Sequence, residues 1–262
     1  LNCKPELAEA FSNLGALYYE KFDLEMALDN YKKALVIKPN YAEVYYNISQ
    51  VLKDKGKLKE AINNCEKALE LKPHYDIARA HKLFLQKSIC DWSKIEEDRD
   101  FIPRLGICTE VLNPFNALML EDCPRRHRLR SELFSSKRFN QKPLPPHKKP
   151  DTMPKRIRIG YFSADFKNHP VMYNLIGTLE KHNKDSFEIY AYSFGPESSD
   201  EMRKRLLETV DVFVDVNNFN DLDIALLARK DEIDIAVDLT TYTKHSRTGV
   251  FAYRAAPIQI NY

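Results

Sequence analysis

The sequence predicts two architectures in one chain: an array of helical repeats in the first third and an α/β unit with a parallel sheet at the end. A 34-residue internal repeat predicts the first. The second follows from short apolar runs that alternate with amphipathic stretches after residue 155. A stretch rich in proline and lysine lies between them and predicts the point where the architecture changes.

The repeat consists of two segments that match at an offset of 34 residues, large residues on large and small on small. The matched positions are Phe11, Leu14, Gly15, Tyr18, Ala27, Tyr31, Ala34 and Pro39 against Tyr45, Ile48, Ser49, Leu52, Ala61, Cys65, Ala68 and Pro73. This is the tetratricopeptide pattern, in which two antiparallel helices form each unit and small residues let them approach closely. We therefore expect an α-helical tetratricopeptide solenoid over residues 1–90.

A third unit begins but departs from the pattern. Residues 75–90 predict a further helix, in which Arg79 and Lys82 take the positions of Phe11 and Leu14. Such a departure is typical of a capping or docking helix at the end of an array. Because two and a half repeats are few for an independent solenoid, we also expect further repeats before Leu1.

Asn13 and Asn47 occupy the same position in successive repeats. Stacked repeats would place these amides in a row, and an amide both donates and accepts hydrogen bonds. A row of them would bind the backbone of an extended protein or peptide acceptor without reading its side chains. Two exposed polar residues without a role would show the same spacing, and a homodimer through the repeats is a further reading.

The middle of the chain separates into two parts. Residues 91–136 predict an irregular helical spacer, interrupted by Pro103 and Pro114. Residues 137–154 are rich in proline and lysine and predict a semi-rigid, exposed linker, with a domain boundary near residue 150. Residues 125–158 hold twelve lysine and arginine residues, which we interpret as a solvated surface and not a nucleic-acid site, because the aromatic residues among them, Phe134 and Phe139, are too few for a stacking platform.

The last part of the chain predicts a doubly wound parallel sheet. Strands are expected at 156–163, 187–194, 212–216, 233–239 and 257–261, with helices at 171–182, 200–209, 219–230 and 245–254. In the order 3-2-1-4-5 the first and fourth strands are neighbours. Polar loops follow both, one with Asp165, Asn168 and His169, the other starting at Asp238, so they should meet in one crevice at the strand ends.

Several function classes are disfavoured. The turn after the first strand lacks G-x-G-x-x-G, and neither a P-loop nor a G-x-S-x-G nucleophile elbow occurs. The sequence contains no apolar run of eighteen residues, so it predicts no membrane-spanning helix. The five cysteines form no C-x-x-C pair, which disfavours a zinc site and suits a reducing, cytoplasmic location. We expect neither a cofactor nor a metal ion.

Three motifs together resemble the protein O-linked N-acetylglucosamine transferases and their relative SPINDLY, a protein O-fucosyltransferase. They are S-x-D-F-x-x-H-P at 163–170, D-L-[NT]-x-x-T at 238–243 and R-x-A-P-I-Q at 254–259. The resemblance covers essentially the whole chain, and the stretches ICDW and NPFNAL are similar to the spacer of bacterial members. It implies that residues 155–262 form the first Rossmann-like lobe of a GT-B glycosyltransferase. The lobe that grips the uridine nucleotide would follow Tyr262, so we expect this chain alone to be inactive.

The resemblance also implies site residues. His169 matches a histidine that lines the family's active site, Asp238 matches a carboxylate discussed as a proton acceptor, and Tyr242 lies where bacterial members often have histidine. Thr241 departs from the glycine usual at its position, and glycine allows backbone angles that threonine resists. The residues themselves leave other readings open, since His169 could enter the helix held by Asp165, Asp238 could cap a turn and Tyr242 could pack.

The implied function is transfer of GlcNAc from UDP-GlcNAc to serine or threonine of proteins. The alternatives are a protein O-fucosyltransferase of the SPINDLY type, a non-enzymatic tetratricopeptide adaptor that binds proteins, and a response-regulator-like α/β module. Which of His169 and Asp238 acts as the base stays open.

Overall fold

A computed structural model describes residues 5–92, 95–108, 111–147, 154–243 and 245–262. The chain forms two compact units, and the division lies between Arg138 and Phe139. The helical repeats and the spacer belong to the first unit, and the α/β part belongs to the second.

The helical repeats are confirmed. Their helices are α1 (Pro5–Glu20), α2 (Leu24–Ile37), α3 (Ala42–Asp54), α4 (Leu58–Leu71) and α5 (Asp76–Ser88). The small residues at the predicted helix contacts, Ala27, Ala34, Ala61 and Ala68, are completely buried. Gly15 shows why the pattern needs a small residue there, because a Cβ on it would lie 2.7 Å from the ring of Tyr31.

The departure at Arg79 and Lys82 has a physical explanation. Arg79 forms an ion pair with Asp98, and Nζ of Lys82 lies 2.6 Å from Oδ2 of the same carboxylate. All three residues are less than a tenth exposed. The apolar positions of the earlier repeats are thus replaced by buried charges that attach the spacer to α5, which confirms α5 as a docking helix.

The spacer is helical but irregular, as expected. It contains α6 (Ile95–Asp98), a 3-10 helix (Arg99–Arg104), α7 (Pro114–Leu118) and α8 (Pro124–Arg138). The buried Arg130 of α8 holds it together: its Nη1 lies 2.6 Å from Oε1 of Glu121, and its Nε donates to the carbonyl of Leu105 at 2.7 Å.

Within the linker expected over 137–154, residues 139–147 belong to the second unit, although five of these nine residues are exposed as expected. The backbone N–H of Leu144 donates to the carbonyl of Tyr253 at 3.0 Å, and Arg229 donates to the carbonyl of Pro145. Leu144 also packs against the core of the second unit. The boundary therefore precedes this stretch instead of lying near residue 150, because proline prevents regular structure without preventing packing. Residues 148–153 lie outside the described residues.

The second unit is the predicted parallel sheet. Its strands are β1 (Ile157–Ser163), β2 (Phe187–Ser193), β3 (Val212–Asp215), β4 (Ile235–Asp238) and β5 (Ile258–Asn261), in the order β3-β2-β1-β4-β5 that was considered above. The helices are α9 (Pro170–Glu180), α10 (Glu201–Thr209), α11 (Asp221–Lys230) and α12 (Gly249–Ala252). The helix expected at 245–254 is reduced to α12. His245 and Arg254 have φ of 67° and 63°, which a right-handed helix does not accommodate.

Apolar cores lie on both faces of the sheet. On one face Ile159 and Tyr161 pack with Met172 and Leu175 of α9. On the other face Phe162 stacks on Tyr192 with ring centroids 4.5 Å apart, in a cluster that includes Ile224 of α11. Among the described residues, no helix combines the length and the apolar character that crossing a bilayer requires.

Candidate active site at the carboxyl ends of β1 and β4

The two polar loops start from neighbouring strands at one edge of the sheet. β1 and β4 pair in parallel, with Phe162 opposite Asp238. The loop after β1 carries Asp165 and His169, and the loop after β4 carries Thr241 and Tyr242. Both loops therefore leave the carboxyl edge of the sheet from neighbouring strands, and their convergence on one crevice stays a prediction.

His169 is the N-cap of α9. Its backbone is extended, with φ −151° and ψ 149°, and its Nδ1 accepts a hydrogen bond from the N–H of Val171 at 3.3 Å. Nδ1 also lies 3.8 Å from Oδ2 of Asp165, and 38% of the side chain is exposed. Both the helix-entry position and the proximity to Asp165 that the sequence suggested are therefore present, while the ring stays accessible.

The loop that carries His169 is fixed by residues that sequence reasoning missed. The N–H of Asn168 donates to Oδ2 of Asp200 at 2.8 Å, and Oδ1 of Asn168 accepts from the N–H of Met202 at 3.3 Å. The buried Arg203 donates to the carbonyl of Phe166 at 3.2 Å. Asp200 was recognisable as a helix start, but its pairing with a loop 32 residues earlier leaves no local signal in the sequence.

Asp238 uses one carboxylate oxygen to shape the second loop. Oδ1 accepts hydrogen bonds from the N–H of Thr240 at 2.9 Å, from its hydroxyl at 3.0 Å and from the N–H of Thr241 at 3.2 Å. The residue is 4% exposed. Burial raises the pKa of this carboxyl, and the hydrogen bonds from Thr240 and Thr241 oppose the shift. The turn-capping interpretation of Asp238 is therefore borne out geometrically.

Thr241 adopts the backbone conformation that its position in the family suggested. Its φ of 46° lies in the left-handed region, which is unfavourable for a β-branched residue. Its carbonyl accepts a hydrogen bond from the hydroxyl of Thr248 at 2.7 Å, and its hydroxyl bonds with the side chain of Asn261. These contacts hold the strained turn beside Asp238.

A cavity of about 360 Å³ opens beside this turn. Asp238, Thr241, Tyr242, Thr248, Gln259 and Asn261 are among its lining residues. Two of the three predicted catalytic residues, Asp238 and Tyr242, thus contribute to one cavity. His169 is not among the lining residues and lies on the neighbouring loop.

The asparagine pair lies in the first unit. Asn13 is exposed on α1, and Asn47 is partly buried on α3, each in the first helix of its repeat. Their role in acceptor binding stays a prediction. Within the described ranges, no three histidine, cysteine or carboxylate side chains are grouped as a metal ion requires, and the expectation of a metal-free reaction stays a prediction as well.

Comparison with known proteins identifies the family. A model of glycosyl transferase family 41 matches residues 127–262, and tetratricopeptide models match residues 8–41 and 42–75. A probable UDP-N-acetylglucosamine–peptide N-acetylglucosaminyltransferase of Arabidopsis thaliana, SEC, is 31% identical over 194 residues, which is 66% of this chain and 19% of that protein. The Arabidopsis thaliana SPINDLY protein, which carries the same enzyme designation, is 32% identical over 109 residues, or 40% of this chain and 12% of that protein.

A solved structure agrees with this assignment. A mutant of the Thermobaculum terrenum O-GlcNAc transferase superposes with a TM-score of 0.56 and 28% identity, over 99% of this chain and 44% of that one. The chain spans less than a fifth of the two Arabidopsis relatives. The family 41 match extends over more than half of this chain and includes both motif loops. The chain belongs to glycosyl transferase family 41.

Proposed function

We propose that this chain is part of a protein O-glycosyltransferase that transfers GlcNAc from UDP-GlcNAc to serine or threonine side chains. The observation that carries the proposal is that the two family motif loops leave the neighbouring strands β1 and β4 at the same edge of the sheet. The designations of the relatives support the donor and the peptide acceptor. Because the chain spans a small part of those relatives, the activity belongs to the full-length protein.

The reaction sets two demands on the site. A bond forms between the acceptor hydroxyl oxygen and the anomeric carbon while the bond from that carbon to the diphosphate breaks, and the hydroxyl proton passes to a base, for which His169 and Asp238 are the candidates. The site therefore has to orient the acceptor and stabilise the departing diphosphate. We assign these tasks in part to His169, Asp238 and Tyr242, with fixed hydrogen bonds around Asp238 and Asn168 supplying preorganisation.

The repeats supply the acceptor site in this proposal. Tetratricopeptide arrays present extended surfaces to protein partners, and Asn13 and Asn47 lie at equivalent positions on two such units. A homodimer through the repeats and a cytoplasmic location complete the proposal, and both await direct tests.

Sugar transfer by the full-length protein tests the function. Radiolabelled UDP-GlcNAc and GDP-fucose are offered separately with a protein acceptor, and label on the acceptor is counted. Incorporation from UDP-GlcNAc is expected. Incorporation from GDP-fucose alone would replace the donor by that of a SPINDLY-type fucosyltransferase. Acceptor binding without transfer from either donor would identify an adaptor and refute the enzymatic function.

A further inference from the structure

A second cavity, of about 340 Å³, lies within the first unit, with walls from α3, from α5 and from the stretch that leads into α7. It shares none of its lining residues with the cavity beside Thr241. Ile77 and Phe84 give it an apolar side, and Lys53, His81 and Asn116 are among its polar lining residues. Its volume falls at the lower end of the range in which proteins bind small groups.

His81 contributes a buried polar atom without a partner to this cavity. The residue is 8% exposed, and its ring packs edge-on against the ring of Tyr46, with centroids 5.7 Å apart. Its Nε2 is buried and has no hydrogen-bond partner within the described part of the chain. Buried polar groups are nearly always hydrogen-bonded, so an unpaired one needs an explanation. A group held in the cavity supplies one.

The missing partner is a neutral group. Burial and, after it, the charge of Lys53 lower the pKa of His81 to about 4, against a hydrogen bond with the backbone of Ser49 and the charge of Asp54. The ring is therefore uncharged at neutral pH. A cation in the cavity would be repelled by Lys53. An anion is not required either, because Nζ of Lys53 already lies 3.1 Å from the carboxylate of Asp54.

A carboxamide fits this wall better than other neutral groups. A neutral imidazole offers either a bare nitrogen or an N–H at Nε2, and the amide of Asn116 both donates and accepts. A carboxamide supplies N–H donors and a carbonyl acceptor, so it complements both residues in either tautomer of His81. The two methylene groups of a glutamine side chain would pack against Ile77 and Phe84 on the apolar side.

The position of His81 in the repeats indicates where such a side chain comes from. His81 lies 34 residues after Asn47, which itself lies 34 residues after Asn13. The third repeat thus places histidine at the position of the asparagine pair. A chain bound along that row reaches His81 next, so the group that enters the cavity is a side chain of the same extended chain.

We propose that this cavity is a specificity pocket for a glutamine side chain of a protein acceptor bound along the repeats. The carboxamide bonds with Nε2 of His81 and with the amide of Asn116. The inference rests on the proposed function, because it takes the bound chain to be the acceptor. It deepens that function by adding a preference for one side chain.

Peptide binding by the full-length protein tests the preference. An extended peptide with one acceptor serine carries a single glutamine that is moved position by position, and matched peptides carry methionine or glutamate there. Fluorescence anisotropy gives the affinities without any sugar transfer. At one position the glutamine peptide should bind about two- to tenfold more tightly than the methionine peptide, as one hydrogen bond allows. Equal affinities at every position would mean that the cavity holds water only, and tightest binding of the glutamate peptide would mean an anion site. Either result would overturn the proposal.

Variants of the lining residues connect the preference to the cavity. His81→Phe retains an aromatic ring beside Tyr46 and removes both ring nitrogens, so the preference for glutamine over methionine should disappear. His74→Phe, at an exposed histidine of the same unit, is the matched control and should retain it. Asn116→Leu removes the second polar group from a partly exposed position and should also reduce the preference. This variant decides the matter if His81→Phe does not fold. An undiminished preference in folded His81→Phe or in Asn116→Leu would overturn the proposal.

The specificity pocket and the proposed function fail in different ways. If the protein prefers the glutamine peptide but transfers no sugar from either donor, the proposed function fails and the pocket stands. If it transfers sugar but binds the glutamine and methionine peptides equally at every position, the function stands and the pocket is refuted.

Discussion

Asp238 is a buried acidic residue at the end of β4. It is 4% exposed, and burial raises the pKa of its carboxyl against the opposing hydrogen bonds of the turn. A raised pKa in the folded state means that the protonated form is favoured by folding. The stabilising contribution is complete below the unfolded pKa of about 4 and is lost as pH rises through the folded value. At neutral pH the carboxylate therefore costs stability, as is common for groups kept for function.

Asp238→Asn should accordingly increase the free energy of unfolding at pH 7. The amide oxygen can still accept the bonds from Thr240 and Thr241, while the buried charge is gone. The gain should shrink as pH falls toward about 4, where the wild-type carboxyl also becomes neutral. Urea unfolding of both proteins across this pH range measures it. The opposite result would be a variant whose free energy of unfolding lies below that of the wild type at pH 7 and approaches it at pH 4. That result would show that the charge stabilises the turn.

The left-handed backbone of Thr241 leads to a second prediction. Thr241→Gly and Thr241→Ala both remove the hydroxyl that bonds with Asn261, but only glycine accepts φ of 46° without strain. The glycine variant should be more stable than the alanine variant by about 1 kcal/mol. Thermal unfolding of the pair gives the difference. Equal stabilities would mean that the backbone angle carries no strain.

At the scale of elements, the spacer depends on buried charges at α5. Asp98 is 2% exposed and faces both Arg79 and Lys82. Asp98→Asn leaves two buried cations without a counter-charge, and we expect a loss of about 3–5 kcal/mol in the free energy of unfolding. Glu96→Gln, whose partner Arg99 lies 3.1 Å away with both side chains mostly exposed, is the control and should cost less than about 1 kcal/mol. Similar losses in both variants would contradict the docking role.

Some structural elements could be predicted from the sequence and others could not. The parallel sheet followed from the alternation of apolar runs and helices, whereas its strand order was considered as one possibility that the structure now shows. The packing of residues 139–147 could not be predicted from the sequence. The backbone hydrogen bond from Leu144 to Tyr253 joins residues more than a hundred positions apart, and no local pattern encodes that pairing. The hydrogen bond from the N–H of Asn168 to Asp200 could not be predicted for the same reason.

The candidate site likewise contains features that the sequence predicted and features that it did not. The two motif loops and Thr241 were recognisable from local sequence, and the strand order brought the loops to one edge. The orientation of the His169 ring was not recognisable from the sequence. It depends on the contacts of Nδ1 with the N–H of Val171 and with the carboxylate of Asp165. These contacts are set by a helix terminus and by distances of a few ångströms.

At the scale of the whole molecule, the asparagine pair should act on large acceptors alone. Replacing Asn13 and Asn47 by alanine removes neutral hydrogen bonds worth roughly 0.5–1.5 kcal/mol each, so binding of a protein acceptor should weaken by about one to two powers of ten. Transfer to a short peptide that reaches only the crevice should barely change. Stability should also change little, because the buried contacts between helices are made by Ala27, Ala34, Ala61 and Ala68.

Kinetics of the full-length protein on both acceptors test this. The double variant and the wild type are compared on one extended protein acceptor and one short peptide. Equal losses on both acceptors, or no loss on either, would remove the repeats from acceptor binding and favour their use in dimerisation.

The central claim is that sugar transfer occurs at the carboxyl edge of the sheet, and kcat of two histidine variants of the full-length protein tests it most directly. His169 follows β1 at that edge. His147 instead lines a cavity of about 520 Å³ at the amino ends of β1 and β4, together with Arg158 near the start of β1 and Asp234 just before β4. With UDP-GlcNAc and a protein acceptor, His169→Ala should lower kcat about a hundredfold, and His147→Ala should leave it within about twofold. Undiminished transfer by folded His169→Ala, or an equal loss in both variants, would contradict the account.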